Sequence, residues 1–221
     1  MIKKLKLILF IIFYLYQTSA FSKAVEEKDF NPKYLSNYLS AIISQSNQDN
    51  QESVKFFNSS KILINEHENY LKEYVLALVV NKEVKKSINV IRENIGKNNS
   101  NFFEAKLLLL IDNIKKKNFL QNVEILNELK QSSDNSNYHY IIYEVLKSYN
   151  NLFLNKEVNL NDSSKLGTLS VINEAFQYCY LNKKETDTKF KNLIDKQESD
   201  YSRFLFFRIN YLINNNNFQS V

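Results

Sequence analysis

Two histidines and one cysteine are the first candidates for proton transfer, nucleophilic attack or metal binding in this 221-residue chain. His67 sits between Glu66 and Glu68 where a hairpin turn is expected, and His139 sits between Tyr138 and Tyr140 at an expected helix start. Both read as surface or capping residues. Cys179 falls on an apolar helical stretch, where a free thiol behaves as a small buried hydrophobe. A nucleophilic thiol needs a neighbouring histidine and an electropositive setting, and neither is visible around it. A zinc site built from nitrogen and sulfur needs more ligands than two histidines and one cysteine supply. A lone cysteine also closes no intrachain disulfide. Gly96 and Gly167 are the only glycines, so no Gly-rich phosphate cradle can form. The acidic stretches 26–29 and 185–187 read as solvated faces or helix-start charges. The expectation is a protein without catalytic residues, cofactor or metal: not an enzyme.

What such a chain builds follows from composition. It is 44% apolar and 24% charged, ordinary values for a globular protein. Sandwiches and barrels need turn residues every few positions, which two glycines and one proline cannot provide. An all-α fold joined by Asn, Ser and Asp turns is therefore expected. Asn, Lys, Ile, Phe and Tyr are abundant, while Arg occurs only at 92, 203 and 208, the imprint of AT-rich coding. Motifs that ordinarily use Gly, Ala or Pro are expected here with Ser, Asn or Lys in their place.

The first twenty residues read as a targeting segment. Lys3, Lys4 and Lys6 precede an unbroken apolar run at 7–16, followed by Thr18, Ser19 and Ala20. This is the three-part pattern of a secretory signal, with cleavage after Ala20 or after Ser22. As a helix, ten apolar residues reach about 15 Å, short of a hydrocarbon core of roughly 30 Å. The expectation is export to the periplasm, no stable membrane span after cleavage, and a linker over 21–30. Losing the three lysines lowers the net charge from +5 to +2. The remaining lysine clusters lie near expected helix ends, where cations suit the carbonyl dipole, and no basic face with Arg or aromatic readers appears, so nucleic acid is not an expected partner.

From residue 31 onward an internal repeat organises the chain. Leu35, Tyr38, Leu39, Ile42 and Ile43 share helical spacing, and after a polar turn Val54, Phe57, Ile62 and Ile64 follow. The pattern returns with Leu71, Val75, Leu78 and Val79, then Val84, Ile88 and Ile91, and again with Phe103, Leu107, Leu110, Ile111 and Ile114, then Phe119, Val123, Leu126 and Leu129. Three consecutive helical hairpins are predicted. A small or polar residue early in each second helix sets the register: Ser53, Ser87, Asn122, Thr188 and Val221, at intervals of 34, 35, 66 and 33. The double interval leaves room for one degenerate unit near Asn155. Asn31 before Pro32 predicts a capped helix start, Ser100 and Asp134 or Ser136 predict further caps, and Gly96 predicts a stop. The polar stretch 155–164 is predicted to be a loop within one array, with a cap at 162–164.

On these residues the chain resembles the tetratricopeptide repeat family, in a divergent form exported by Gram-negative bacteria. The family's unit is a 34-residue antiparallel helix pair, small at the eighth position and usually Ala at the twentieth. Ala41, Val75 and Leu110 take the eighth position here, Ser53, Ser87 and Asn122 the twentieth, and Phe57, Ile91 and Leu126 the twenty-fourth. The family's Trp at position four, its Leu-Gly pair and its closing Pro are missing. The resemblance implies a right-handed superhelical solenoid over 31–221, of about five to six units with the last incomplete. It also implies a peptide-binding concave face, whose fifth and ninth positions map to Tyr38 and Ile42, Lys72 and Leu76, and Leu107 and Ile111.

That set is apolar with one cation, which suits an amphipathic helix or extended peptide of another protein. The expected function is thus a non-catalytic protein-interaction scaffold of the cell envelope. The alternative is the helical arm of a periplasmic cell-wall enzyme of the lytic transglycosylase type, with its catalytic domain outside this chain. The Glu-Ser pairs at Glu52 and Glu198 lack a following Gly-rich segment and cannot be that catalytic site. Residues 201–213 read as a first helix whose partner barely begins at Phe218, so the chain is expected to be the front of a longer protein.

Overall fold

The computed structural model describes residues 31–133, 137–160, 166–195 and 202–216. The described residues form ten α-helices and no strand. The leader, the caps at Asp134, Ser136 and 162–164, and Val221 lie outside them. The helices are α1 (Pro32–Ser46), α2 (Asn50–Ser59), α3 (Tyr70–Val80), α4 (Val84–Glu93), α5 (Phe103–Lys115), α6 (Asn122–Ser133), α7 (Asn137–Asn155), α8 (Thr168–Tyr180), α9 (Thr186–Ile194) and α10 (Leu205–Asn214). Each packs against the next in sequence, and α1, α3 and α5 also meet in order. The arrangement is helical and repeat-like. Among the described residues no helix is long and apolar enough to cross a membrane.

Local chemistry sets the boundaries. Asn31 caps α1 by accepting from the Lys33 amide at 3.0 Å, with Pro32 preorganised in the first turn. Asp49 caps α2 by accepting from the Glu52 amide at 3.3 Å. Ser100 is not a cap: its hydroxyl donates to the Lys97 carbonyl at 2.8 Å within a 3-10 turn, and α5 starts three residues later behind extended Phe102. The apolar Phe102–Phe103 pair enters the core there and draws the helix start with it.

One turn recurs at the ends of α1, α3, α5 and α8, and its left-handed residue returns at the end of α10. Gln48, Lys82, Lys117, Asn182 and Asn216 all have φ between 50° and 65°. In the first four, this residue's amide donates three residues back and the following amide donates five back, as in Asp49 to Ser44 at 2.9 Å and Glu83 to Leu78 at 2.8 Å. This is the Schellman motif, which satisfies the last carbonyls of a helix and usually employs glycine. None of the five is glycine. Successive left-handed residues lie 34 apart from Gln48 to Lys82, 35 apart to Lys117, and 34 apart from Asn182 to Asn216.

The register residues behave unevenly. Ser53, Ser87 and Asn122 are fully buried, and so are their partners Ala41 and Leu110. Ser53 Oγ donates to the Ala41 carbonyl at 3.0 Å, and Asn122 Nδ2 to the Leu110 carbonyl at 3.4 Å. A polar side chain is tolerated where the helices cross because a helix carbonyl receives it. In the later hairpin the expected Thr188 is exposed. Thr186, two residues earlier, is the buried one, with its hydroxyl donating to the Lys183 carbonyl at 2.7 Å. Thr186 opens α9 directly after Glu185, whereas the apolar Val84 opens α4.

Three apolar clusters form the interior. The first runs from α1 into α5 and centres on Phe57, Tyr70 and Tyr74, each no more than 1% exposed. Their rings stand 5.5 to 6.1 Å apart. The second joins α5, α6 and α7 through Phe103, Leu110, Leu129 and Tyr143. The third joins α8, α9 and the start of α10 through Ala175, Phe190, Leu193 and Phe204.

Candidate functional site

The six candidate groove residues divide by environment. Tyr38 lies inside the first cluster, 7% exposed, its ring 5.5 Å from Tyr70 and 4.6 Å from His67. Burial, and then the charge of Glu73, raises its phenol pKa. Ile42 and Leu107 are half-buried, packed on the first and second clusters. Leu76 and Ile111 are 44% and 48% exposed. They occupy equivalent positions on α3 and α5, one turn before the helix end, and leave a side chain in water at the same register of successive hairpins. Leu39 and Ile43 on α1 and Val80 on α3 are also exposed, which extends the apolar content of this set of first helices.

Lys72 faces Glu104 across the α3–α5 contact at 3.3 Å, with both side chains about half in solvent. A pair this exposed contributes little stability, but it neutralises the one cation of the candidate set and links neighbouring first helices. A second inter-hairpin pair holds the other side: Arg92 of α4 meets Asp112 of α5 at 2.6 Å, and Lys116 meets the same carboxylate at 2.7 Å. The Lys116 hydrogen bond, then that of Arg92, holds the Asp112 carboxyl below the usual range.

The groups read first for chemistry are placed structurally. His139 stacks on Phe103 with ring centroids 3.8 Å apart. The Cys179 thiol is half-buried, and burial pushes its pKa up, away from the reactive thiolate. Among the described residues no group of three or more His, Cys, Asp or Glu side chains is placed to hold a metal.

Among the described residues, cavities lie at two connections between hairpins. One of about 380 Å³ is lined by His67, Glu66, Glu68, Asn65, Lys97 and Asn99. Lys97 Nζ is already engaged there by Asn65 and Asn94 at 2.9 and 2.8 Å. The other, about 580 Å³, lies between α4, α5 and α6, with Ile91, Leu109 and Ile125 among its apolar walls and Glu124 and Glu128 among its polar ones. Neither includes a candidate groove residue. No protein-family model, curated protein or solved structure matches the chain.

Proposed function

We propose that the chain is an exported, non-catalytic scaffold: a tetratricopeptide-like right-handed solenoid of antiparallel helix pairs, binding a peptide or helix of another protein on the face formed by its first helices. The observation that carries this reading is the equivalent exposure of Leu76 and Ile111 on successive first helices. Apolar side chains held in water at a fixed repeat offer anchor pockets to an amphipathic segment, and a few such residues supply most of an interface's affinity. The 34- and 35-residue spacing of the left-handed turns supports a stacked array over a bundle. Tyr38 supports the face from beneath, and Lys72 with Glu104 fixes the spacing of α3 and α5. Export rests on the leader pattern in the sequence.

The test places a photo-crosslinking residue at Leu76 in the envelope of an expressing cell, with a second copy at exposed Lys85 on α4 as control. One reproducible adduct from Leu76 alone, lost in the Ile111→Asp background while helix content is unchanged, is the expected result. Equal labelling from both positions contradicts the reading.

A further inference from the structure

The seat that α2, α4, α6 and α9 fill in their hairpins is differently occupied after α7. The chain leaves α7 through Lys156 at φ 59° and runs without helix or strand over 158–160. Irregular backbone passing between two helices carries amide and carbonyl groups that no helix ladder satisfies. Here one side chain satisfies both for Asn159. Gln177 on α8, fully buried, accepts the Asn159 amide on Oε1 at 2.7 Å and donates from Nε2 to the Asn159 carbonyl at 3.0 Å. The same Nε2 donates to Ser148 Oγ of α7 at 2.7 Å, and Ser148 in turn donates to the Asn159 carbonyl. Gln177 therefore binds α7, the segment at Asn159 and α8 to one another. One turn earlier on the same face of α8, Asn173 is 5% exposed, so this face carries two buried amides.

The surroundings make this clasp decisive. Among the described residues, the contact between α7 and α8 is the slightest of those between sequential helices. The second apolar cluster ends on α7 and the third begins on α8. Among the described residues, the other ring and polar contacts across the joint are the Phe153–Tyr180 ring pair at 5.0 Å and Lys156 against the Tyr180 ring and hydroxyl, all at the helix ends. We infer that α7 and α8 meet at a hinge whose closed position is held by the Gln177 clasp, so that α8, α9 and α10 swing as one body against α1–α7 when the clasp opens. Apolar burial is undirected and tolerates sliding, whereas a bidentate amide holds one position or none, so the hinge has discrete closed and open states rather than a continuous bend. The inference stands independently of what the first-helix face binds.

The test measures spin-label distances in the full chain. In a Cys179→Ser background, labels at exposed Asn127 on α6 and Lys191 on α9 span the hinge, and labels at exposed Ser36 on α1 and Lys85 on α4 lie on one side of it. The wild type is expected to give one narrow distance for each pair. Gln177→Met keeps the volume and removes the clasp's side-chain bonds. It is expected to broaden the 127–191 distribution at least twofold while 36–85 stays narrow. An unchanged 127–191 distance in Gln177→Met, or a broad one already in the wild type, overturns the clasp. If Gln177→Met broadens both pairs by unfolding, Ser148→Ala is measured instead. It removes one partner and is expected to broaden 127–191 alone, and an unchanged distance there overturns the proposal equally.

Discussion

The joint between α2 and α3 and the joint between α7 and α8 perform the same task, seating one hairpin on the next, with opposite chemistry. At the first, Phe57, Tyr70 and Tyr74 interlock, and the polar tips of the two tyrosines are absorbed by the chain they cover: Tyr70 donates to the Phe57 carbonyl and Tyr74 to Asn58 Oδ1 at 2.6 Å. At the second, Gln177 and Ser148 hold a stretch of backbone. The boundary between α6 and α7 is intermediate, with an apolar cluster supplemented by a buried amide pair, Asn122 Nδ2 to Asn150 Oδ1 at 3.0 Å and Asn150 Nδ2 to the Phe119 carbonyl at 3.2 Å. Apolar area supplies most of the net free energy of folding, while a buried hydrogen bond returns little beyond what water offered. The gradient along the array is therefore one from strength toward specificity of position.

The comparison breaks most visibly at Phe57. Phe57→Ala is expected to destabilise the α1–α5 block by about 3–5 kcal/mol, because the ring is fully enclosed and its aromatic neighbours cannot all collapse inward. Urea unfolding followed by tyrosine fluorescence checks it, and a loss below about 1 kcal/mol would mean that the cluster is looser than its geometry.

Alkaline unfolding sharpens the same point. Burial pushes the Tyr74 phenol up to about 12 and raises that of Tyr70 as well. Both groups stay protonated in the folded chain after their unfolded counterparts have ionised, so the stability they contribute is complete below pH 10 and is lost as pH rises through the folded values. Circular dichroism against pH is expected to show the α1–α5 block failing above pH 10, with Tyr74→Phe shifting the midpoint upward.

Asn122→Ala strips the Asn150 carbonyl oxygen and the Leu110 carbonyl of their donor in a buried site, for an expected loss of about 1–3 kcal/mol. Lys117→Gly acts in the other direction. A non-glycine residue in the left-handed region costs roughly 1 kcal/mol, and the substitution is expected to raise stability by about that amount, less the added freedom of the unfolded chain. The smallest effect belongs to Lys72→Ala: a pair half in solvent is expected to contribute less than about 0.5 kcal/mol, and that only at low salt.

Much of the fold was legible in the sequence. Ala41, Val75, Leu110, Phe57, Ile91 and Leu126 are buried as the repeat requires, because burying one stripe of a helix imposes a period that composition cannot disguise. The turns carried no such mark. Their left-handed residues are Gln, Lys and Asn in place of Gly, so the strongest structural repeat in the molecule is silent in residue type. The phase of α9 is offset by two residues, with Thr186 buried where Thr188 was expected. Of the candidate face, Leu76 and Ile111 were accessible to reasoning through the resemblance, whereas the burial of Tyr38 depends on His67 and Tyr70, which arrive from the following connection and helix. Gln177 had no sequence signature, since an amide on a helix is unremarkable until irregular backbone is laid against it.

Native-state hydrogen exchange, resolved by peptide, tests the contrast between the two joints most directly. The account predicts two classes of protected amide, with α8, α9 and α10 opening together at lower free energy than α3 and α5, and with Gln177→Met widening the gap by weakening only the first class. A single opening free energy shared by α3 and α8, unmoved by Gln177→Met, would contradict it.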